Sequence, residues 1–198
     1  MAAPDGFDRL RRLAGRGRPS SDFDLNPDLR PQGRALRAAA VLVGFEETPR
    51  GLRLYLTKRA SGLKHHPGQI AFPGGKVDAG DADAPDAALR EAEEEIGLPR
   101  ACVEVLGTLA PHETVTGFNV TPVLGRIARP FTPVPEAGEV EEVFTVPLDH
   151  IADPANFIVE SRFFRGVRRQ FYTVPYGPYY IWGATARILR ALAEELAT

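Results

Sequence analysis

The stretch from Phe72 to Leu98, FPGGKVDAGDADAPDAALREAEEEIGL, restricts most sharply what this chain can fold into. It sets a glycine pair ahead of a short acidic helix whose two ends are both signalled locally. Asp83 has a side chain suited to cap the first N–H groups, and Pro85 follows where its missing N–H is of no consequence. Ala87 to Glu95 are almost all strong helix formers, and Gly97 followed by Pro99 supplies the stop. At about 100° per residue, Pro85, Ala88, Leu89, Ala92 and Ile96 share an apolar side that a sheet can cover. Glu91, Glu94 and Glu95 share another side at i, i+3 and i+4, while Glu93 points to solvent. Like charges so spaced weaken a helix by a few tenths of a kcal/mol per pair. Such a face is either simply solvated or built around a cation. A hard divalent ion such as Mg²⁺ takes carboxylate oxygens and keeps other positions for water and substrate phosphates.

The rest of the chain sets the frame around that helix. At 198 residues and 43% hydrophobic it is long enough for one substantial core, and a net charge of −2 argues against general affinity for nucleic acid. The single cysteine, Cys102, excludes an internal disulfide and a cysteine zinc site and fits a reducing, cytoplasmic setting. No apolar run approaches the length of a membrane span, and no signal-peptide core follows Met1. Residues 1–35 are rich in Arg, Pro and Asp. They read as a solvated, partly mobile arm, with a short amphipathic helix available over Asp8 to Leu13, ahead of a domain spanning 36–198.

Strand patterns begin at Arg37. Ala38 to Phe45 is a continuous apolar run of buried-strand length, and Leu52 to Lys58 alternates as the next strand. Leu106 to Ala110, Val120 to Ile127 and Glu141 to Val146 read as further strands, and Phe163 to Val174 as a hairpin turning near Gly166. Trp182 to Leu196 carries apolar positions at helical spacing. Strands on both sides of one helix, with a second helix at the end, predict an α/β fold: an α/β/α sandwich on a mixed sheet.

The glycine loop and helix resemble a Nudix box, G-x5-E-x7-R-E-U-x-E-E-x-G-U with U bulky and apolar. Gly75 opens it, and Arg90, Glu91, Glu94, Glu95, Gly97 and Leu98 close it in register. Asp81 stands where the pattern has its early glutamate, and the spacer from there to Arg90 is one residue longer. The preceding segment, LTKRASGLKHHPGQIAFPGG from Leu56 to Gly75, resembles the signature ahead of the box in the coenzyme A pyrophosphatase subgroup. Runs at Thr116 to Gly125 and Ile181 to Leu189 are similar to that subgroup too, so the resemblance extends over roughly residues 37–190.

The resemblance implies water attack on a nucleoside diphosphate linked to a second moiety. Mg²⁺, with Mn²⁺ as the alternative, would be held by Glu91, Glu94 and Glu95 beside Gly75. Glu91 would be ligand and candidate base, with Arg90 orienting a glutamate. The base in this superfamily can also come from a loop outside the box, for which Glu113, Glu139, Glu141 and Glu142 are candidates; Glu139 sits in the long Pro-rich loop, where it can reach over the site. His112 is one further polar residue of that kind.

All three lysines, Lys58, Lys64 and Lys76, fall near the box, and with Arg59, His65, His66 and Gln69 they form a cationic, hydrogen-bonding rim. The substrate contacts expected are therefore Arg59, Lys64, His66, Gln69, Phe72, Gly74 and Lys76. Coenzyme A, with a 3′-phosphate beyond its diphosphate, suits such a rim. Tyr176, Tyr179, Tyr180 and Trp182 are read mainly as packing residues, with stacking on adenine as the other use. The expected reaction is hydrolysis of coenzyme A and its thioesters to 4′-phosphopantetheine and 3′,5′-ADP. ADP-ribose, NADH or a dinucleoside polyphosphate are alternative substrates, and a non-catalytic nucleotide-binding module is the remaining alternative. The expected partner is this small molecule alone, without nucleic acid or membrane; oligomeric state is open, a homodimer included.

Overall fold

The sheet is assembled on β2 (Arg37–Thr48), the long apolar strand, because its side chains are covered on both faces. The computed structural model describes residues 6–63, 66–164 and 166–198. Ahead of β2 lie α1 (Gly6–Leu13) and the short β1 (Ser20–Ser21). After it come β3 (Gly51–Arg59), β4 (Ile70–Ala71), β5 (Gly74–Lys76), α2 (Ala84–Ile96), β6 (Val103–Thr108), β7 (His112–Glu113) and β8 (Phe118–Ile127). The chain ends through β9 (Val140–Pro147), α3 (Leu148–Ala152), β10 (Ile158–Phe164), β11 (Val167–Thr173) and α4 (Ala184–Leu196).

β2 runs parallel to β8 from Arg37↔Phe118 to Glu46↔Ile127 and antiparallel to β3 and β5. β3 carries β4 and β9, both antiparallel, and β8 carries β6 and β7. The sheet is mixed, as expected. Alternation along β2 divides the core. Ala39, Val43 and Phe45 face the layer that holds α1, α3 and α4, whereas Ala40 and Leu42 face α2 through Ala87, Ala88, Ala92 and Ile96. This is the predicted α/β/α sandwich. β10 and β11 form a separate two-stranded hairpin that begins five residues earlier than the sequence pattern indicated, at Ile158.

The N-terminal segment departs from expectation. Helix α1 exists, but it is not part of a solvated arm: Phe7, Leu10 and Leu13 are buried in the larger core cluster. A second tie lies at β1, which pairs in parallel with β7. There Ser20 Oγ hydrogen-bonds His112 Nδ1 at 2.9 Å, and Asp22 Oδ1 meets His112 Nε2 at 3.1 Å. His112 is fully buried, so it is a clasp for the N-terminal segment rather than a group open to substrate. The charge-rich composition hid this, because an eight-residue helix buries only three side chains while its arginines stay outside.

Helix α2 starts and stops as its sequence dictates. Asp83 Oδ1 accepts from the Asp86 N–H at 2.8 Å, and Gly97 ends the helix at φ 67°, where its N–H reaches the carbonyls of Ala92 and Glu93. The loop beyond β8 then folds back on this end. The N–H groups of Val134 and Glu136 donate to the carbonyls of Ile96 and Glu95, both at 2.9 Å. That brings the Pro-rich loop, and Glu139 with it, to the acidic side of α2.

Candidate active site

The three box glutamates lie on one helix but in three different environments. Glu95 is on the buried side with only 5% exposure, and its Oε2 accepts from the Gly74 N–H at 3.0 Å. Glu91 is partly buried; its Oε1 accepts from the Arg90 guanidinium at 3.0 Å. Glu94 is largely exposed and accepts from the same guanidinium at 3.2 Å. Among the described residues no group of three or more His, Cys, Asp or Glu side chains is gathered to hold a metal ion. Glu95 turns to the Gly74 N–H, while Glu91 and Glu94 share Nη1 of Arg90, so the three carboxylates do not meet at one point.

Arg90 is the organising cation of this face. Its Nε and Nη2 grip both oxygens of Asp81 at 2.8 and 3.0 Å, and Nη2 also donates to the Lys76 carbonyl at 3.1 Å. Asp81, the substitute for the early glutamate of the box pattern, is thus the bidentate partner of Arg90, with its side chain only 3% exposed. The longer spacer closes on itself: the Asp78 N–H donates to Asp81 Oδ2 at 2.7 Å and the Asp81 N–H to the Asp78 carbonyl at 3.0 Å. That tight turn brings the shorter side chain up to the guanidinium. The Arg90 bond holds the Asp81 carboxyl down at about 2. A planar fork serving five acceptor atoms on four residues has no equivalent in an ammonium. Arg90→Lys is therefore expected to lower kcat/KM about 10- to 100-fold, the range for losing a group that orients metal ligands. A loss under threefold, measured by steady-state kinetics, would make the network dispensable.

The electrostatics of the remaining glutamates are set mainly by burial. Desolvation pushes the Glu95 carboxyl up to about 7; the Gly74 N–H and the charge of Arg59 oppose the shift, and Glu91 and Glu139 add to it. Glu91 is also raised, first by burial, against the pull of Arg90 and with help from Glu94 and Glu139. Glu139 therefore faces both. Of the other candidate bases, Glu113 is ion-paired to Arg30 and Arg34, Glu141 to Lys58 at 2.6 Å, and Glu142 accepts from the Tyr179 hydroxyl at 2.6 Å. Glu139 is the loop carboxylate whose charge is felt by both Glu91 and Glu95.

The two loop glycines have different reasons to be glycine. A Cβ on Gly74, whose φ is 155°, would lie 2.4 Å from the Ala40 carbonyl oxygen, so this residue serves close pairing with β2. A Cβ on Gly75 would lie 2.4 Å from Glu91 Oε1, so this one leaves room for the carboxylate itself. Carboxylates whose pKa burial raises, packed on a backbone without Cβ, fit a hard divalent cation in donor type and in charge.

The expected substrate contacts separate into groups. Phe72 is buried in the core and offers no ring to a ligand. Gly74 spends its N–H on Glu95, Lys76 is exposed at the end of β5, and Lys64 lies outside the described residues, as does His65. Arg59 stands close enough to Glu95 to lower its pKa. His66 and Gln69 line a cleft of about 610 Å³ together with Lys58, Arg162, Tyr179, Tyr180 and Trp182. The sequence reading missed Arg162 altogether, since nothing in a hairpin's alternation reveals which far segment it faces.

A family model described as NUDIX domain matches residues 34–165, and the chain belongs to the Nudix family of hydrolases, which act on pyrophosphate bonds and generally use divalent metal ions. Its relatives include the uncharacterized Nudix hydrolase NudL of Salmonella paratyphi B, 41% identical over 172 residues that make up 87% of this chain and 89% of that protein. The Escherichia coli protein of the same name is 40% identical over the same shares. Among solved structures, the Nudix hydrolase RenU of M. smegmatis matches with a TM-score of 0.51 at 28% identity, over 62% of this chain and 84% of that one. No helix among the described residues is long and apolar enough to cross a membrane.

Proposed function

We propose that this chain is a Mg²⁺-dependent pyrophosphatase of coenzyme A, and of its thioesters, releasing 4′-phosphopantetheine and 3′,5′-ADP. The observation that carries the reading is the junction at the end of β3. Arg59 there stands by the desolvated Glu95, while its neighbour Lys58 lines the aromatic and cationic cleft. A diphosphate at the glutamates would have Arg59 beside it, and the next residue along β3 belongs to the cleft that would receive an organic arm. The segment from Leu56 to Gly75, whose pattern resembles the coenzyme A subgroup, forms both the junction and one wall of the cleft.

Glu91 and Glu95 would hold the cation, with Glu94 joining once released from Arg90. A bound divalent cation neutralises diphosphate oxygens and lowers the pKa of an attacking water. Glu139 would take the proton of the attacking water, from a loop tied to the end of α2 through Val134 and Glu136. Arg90 holds Glu91 in orientation rather than touching substrate, because Asp81 and the Lys76 carbonyl occupy its other N–H groups. The lone Cys102 fits a cytoplasmic setting for this reaction.

Product chromatography tests the reading. With Mg²⁺ and, separately, coenzyme A, ADP-ribose, NADH and a dinucleoside tetraphosphate, the expected result is 3′,5′-ADP from coenzyme A, lost on chelation. Turnover of another of these substrates alone would overturn the coenzyme A assignment and leave the hydrolase. No turnover of any would favour a binding module.

A further inference from the structure

We infer that the cleft seats the nucleoside end of the substrate and that Arg162, on the β10–β11 hairpin, selects ligands carrying a phosphate on the ribose 3′ position. The inference rests on the coenzyme A reading and specifies which arm of that molecule goes where. The guanidinium carbon of Arg162 lies 5.5 Å from the Tyr180 ring, 5.6 Å from Trp182 and 5.7 Å from Phe171. The rings flanking it are themselves held: Trp182 packs on Phe171 at 5.3 Å and 62°, and Tyr180 donates its hydroxyl to Glu160 at 2.9 Å. A guanidinium flanked by aromatic rings and lining the cleft is suited to a phosphate dianion. Among the described residues Arg162 has no carboxylate ion-pair partner, whereas Lys58 on the opposite wall is engaged by Glu141.

The other walls suit a purine. Trp182 and Tyr180 offer flat faces, and stacking on such rings is tolerant of base identity. Glu142, fixed by the Tyr179 hydroxyl, presents an acceptor for an exocyclic amine. The pantetheine arm has neither ring nor second phosphate to answer these groups.

Trp182 is the single tryptophan of the chain, so its fluorescence reports on this cleft without turnover. The wild type, Arg162→Ala and Arg162→Lys would be titrated with 3′,5′-ADP and with 5′-AMP. They would then be assayed on coenzyme A and dephospho-coenzyme A. The wild type is expected to bind 3′,5′-ADP about tenfold or more tightly than 5′-AMP, as for a charge-assisted contact. Arg162→Ala is expected to shrink that ratio to under about threefold, and Arg162→Lys to restore part of it. The kcat/KM ratio of the two coenzymes should follow the same order, mainly through KM. Equal binding of both nucleotides by the wild type, or an alanine variant that weakens both alike, would overturn the inference. Hydrolysis of coenzyme A and dephospho-coenzyme A with equal kcat/KM would also overturn it while leaving the pyrophosphatase reading in place. Nucleotide discrimination as expected, with no hydrolysis of coenzyme A, would support the cleft as a 3′-phosphonucleotide site and remove the pyrophosphatase reading instead.

Discussion

Glu95→Gln is expected to lower turnover by about 10³-fold, several kcal/mol of transition-state stabilisation, and at the same time to make the metal-free protein more stable at pH 8. The two effects have one cause. Burial raises the Glu95 carboxyl from 4.5 to about 7, so the folded protein prefers it protonated. Between those values the folded state binds more protons than the unfolded state, and stability falls as pH rises. The contribution is fully present below about 4.5 and lost once pH passes about 7. Its full size corresponds to about 3 kcal/mol. Glutamine keeps an oxygen for the Gly74 N–H and carries no charge, so the variant should show a flatter profile. Urea midpoints of both proteins at pH 5 and pH 8, with chelator present, check this. Equal midpoints at pH 8 would mean that the ionised carboxylate is not penalised by its surroundings. Added Mg²⁺ should raise the pH 8 midpoint of the wild type far more than that of the variant, through binding to the native state alone.

Glu139→Gln is expected to lower kcat by about 10²- to 10⁴-fold, the range for removing a positioned general base. KM should change little, since Glu139 is an exposed loop carboxylate that faces Glu91 and Glu95 without holding the cleft together. In the variant the rate should climb steadily with pH as solvent hydroxide takes over the base's work. The measurement is kcat against pH for both proteins at saturating substrate and metal. A loss below threefold would assign the base to Glu91 or another residue. The Glu113, Glu141 and Glu142 carboxylates are already occupied by Arg30 and Arg34, by Lys58 and by Tyr179 respectively. That occupancy made the choice among four similar glutamates a matter of tertiary structure. Along the chain they look alike.

What could be read from the chain was whatever depends on neighbours in sequence. Helix α2 follows from its cap, its helix formers and its terminal glycine, and the two-sided burial of β2 follows from an unbroken apolar run. The short strands β1, β4, β5 and β7 were not visible, since segments of two or three residues carry no period. Helix α1 was visible as a helix, yet its burial was not, because what covers Phe7 and Leu10 comes from the other end of the chain as well as from the sheet. The departure at Asp81 was legible as a departure only. Its role as the bidentate partner of Arg90 needed the turn with Asp78.

By itself, then, the sequence determined the architecture and the acidic helix, since periodicity, capping and residue type are local properties of the chain. Only the tertiary structure decided that Glu95 is buried, that Glu91 and Glu94 share the Arg90 guanidinium, that Phe72 belongs to the core, and that Arg162 meets Tyr180 and Trp182. Each of these depends on desolvation or on contact between segments distant in sequence. A carboxylate's charge is fixed by its covalent structure, but the free energy of that charge is fixed by what surrounds it.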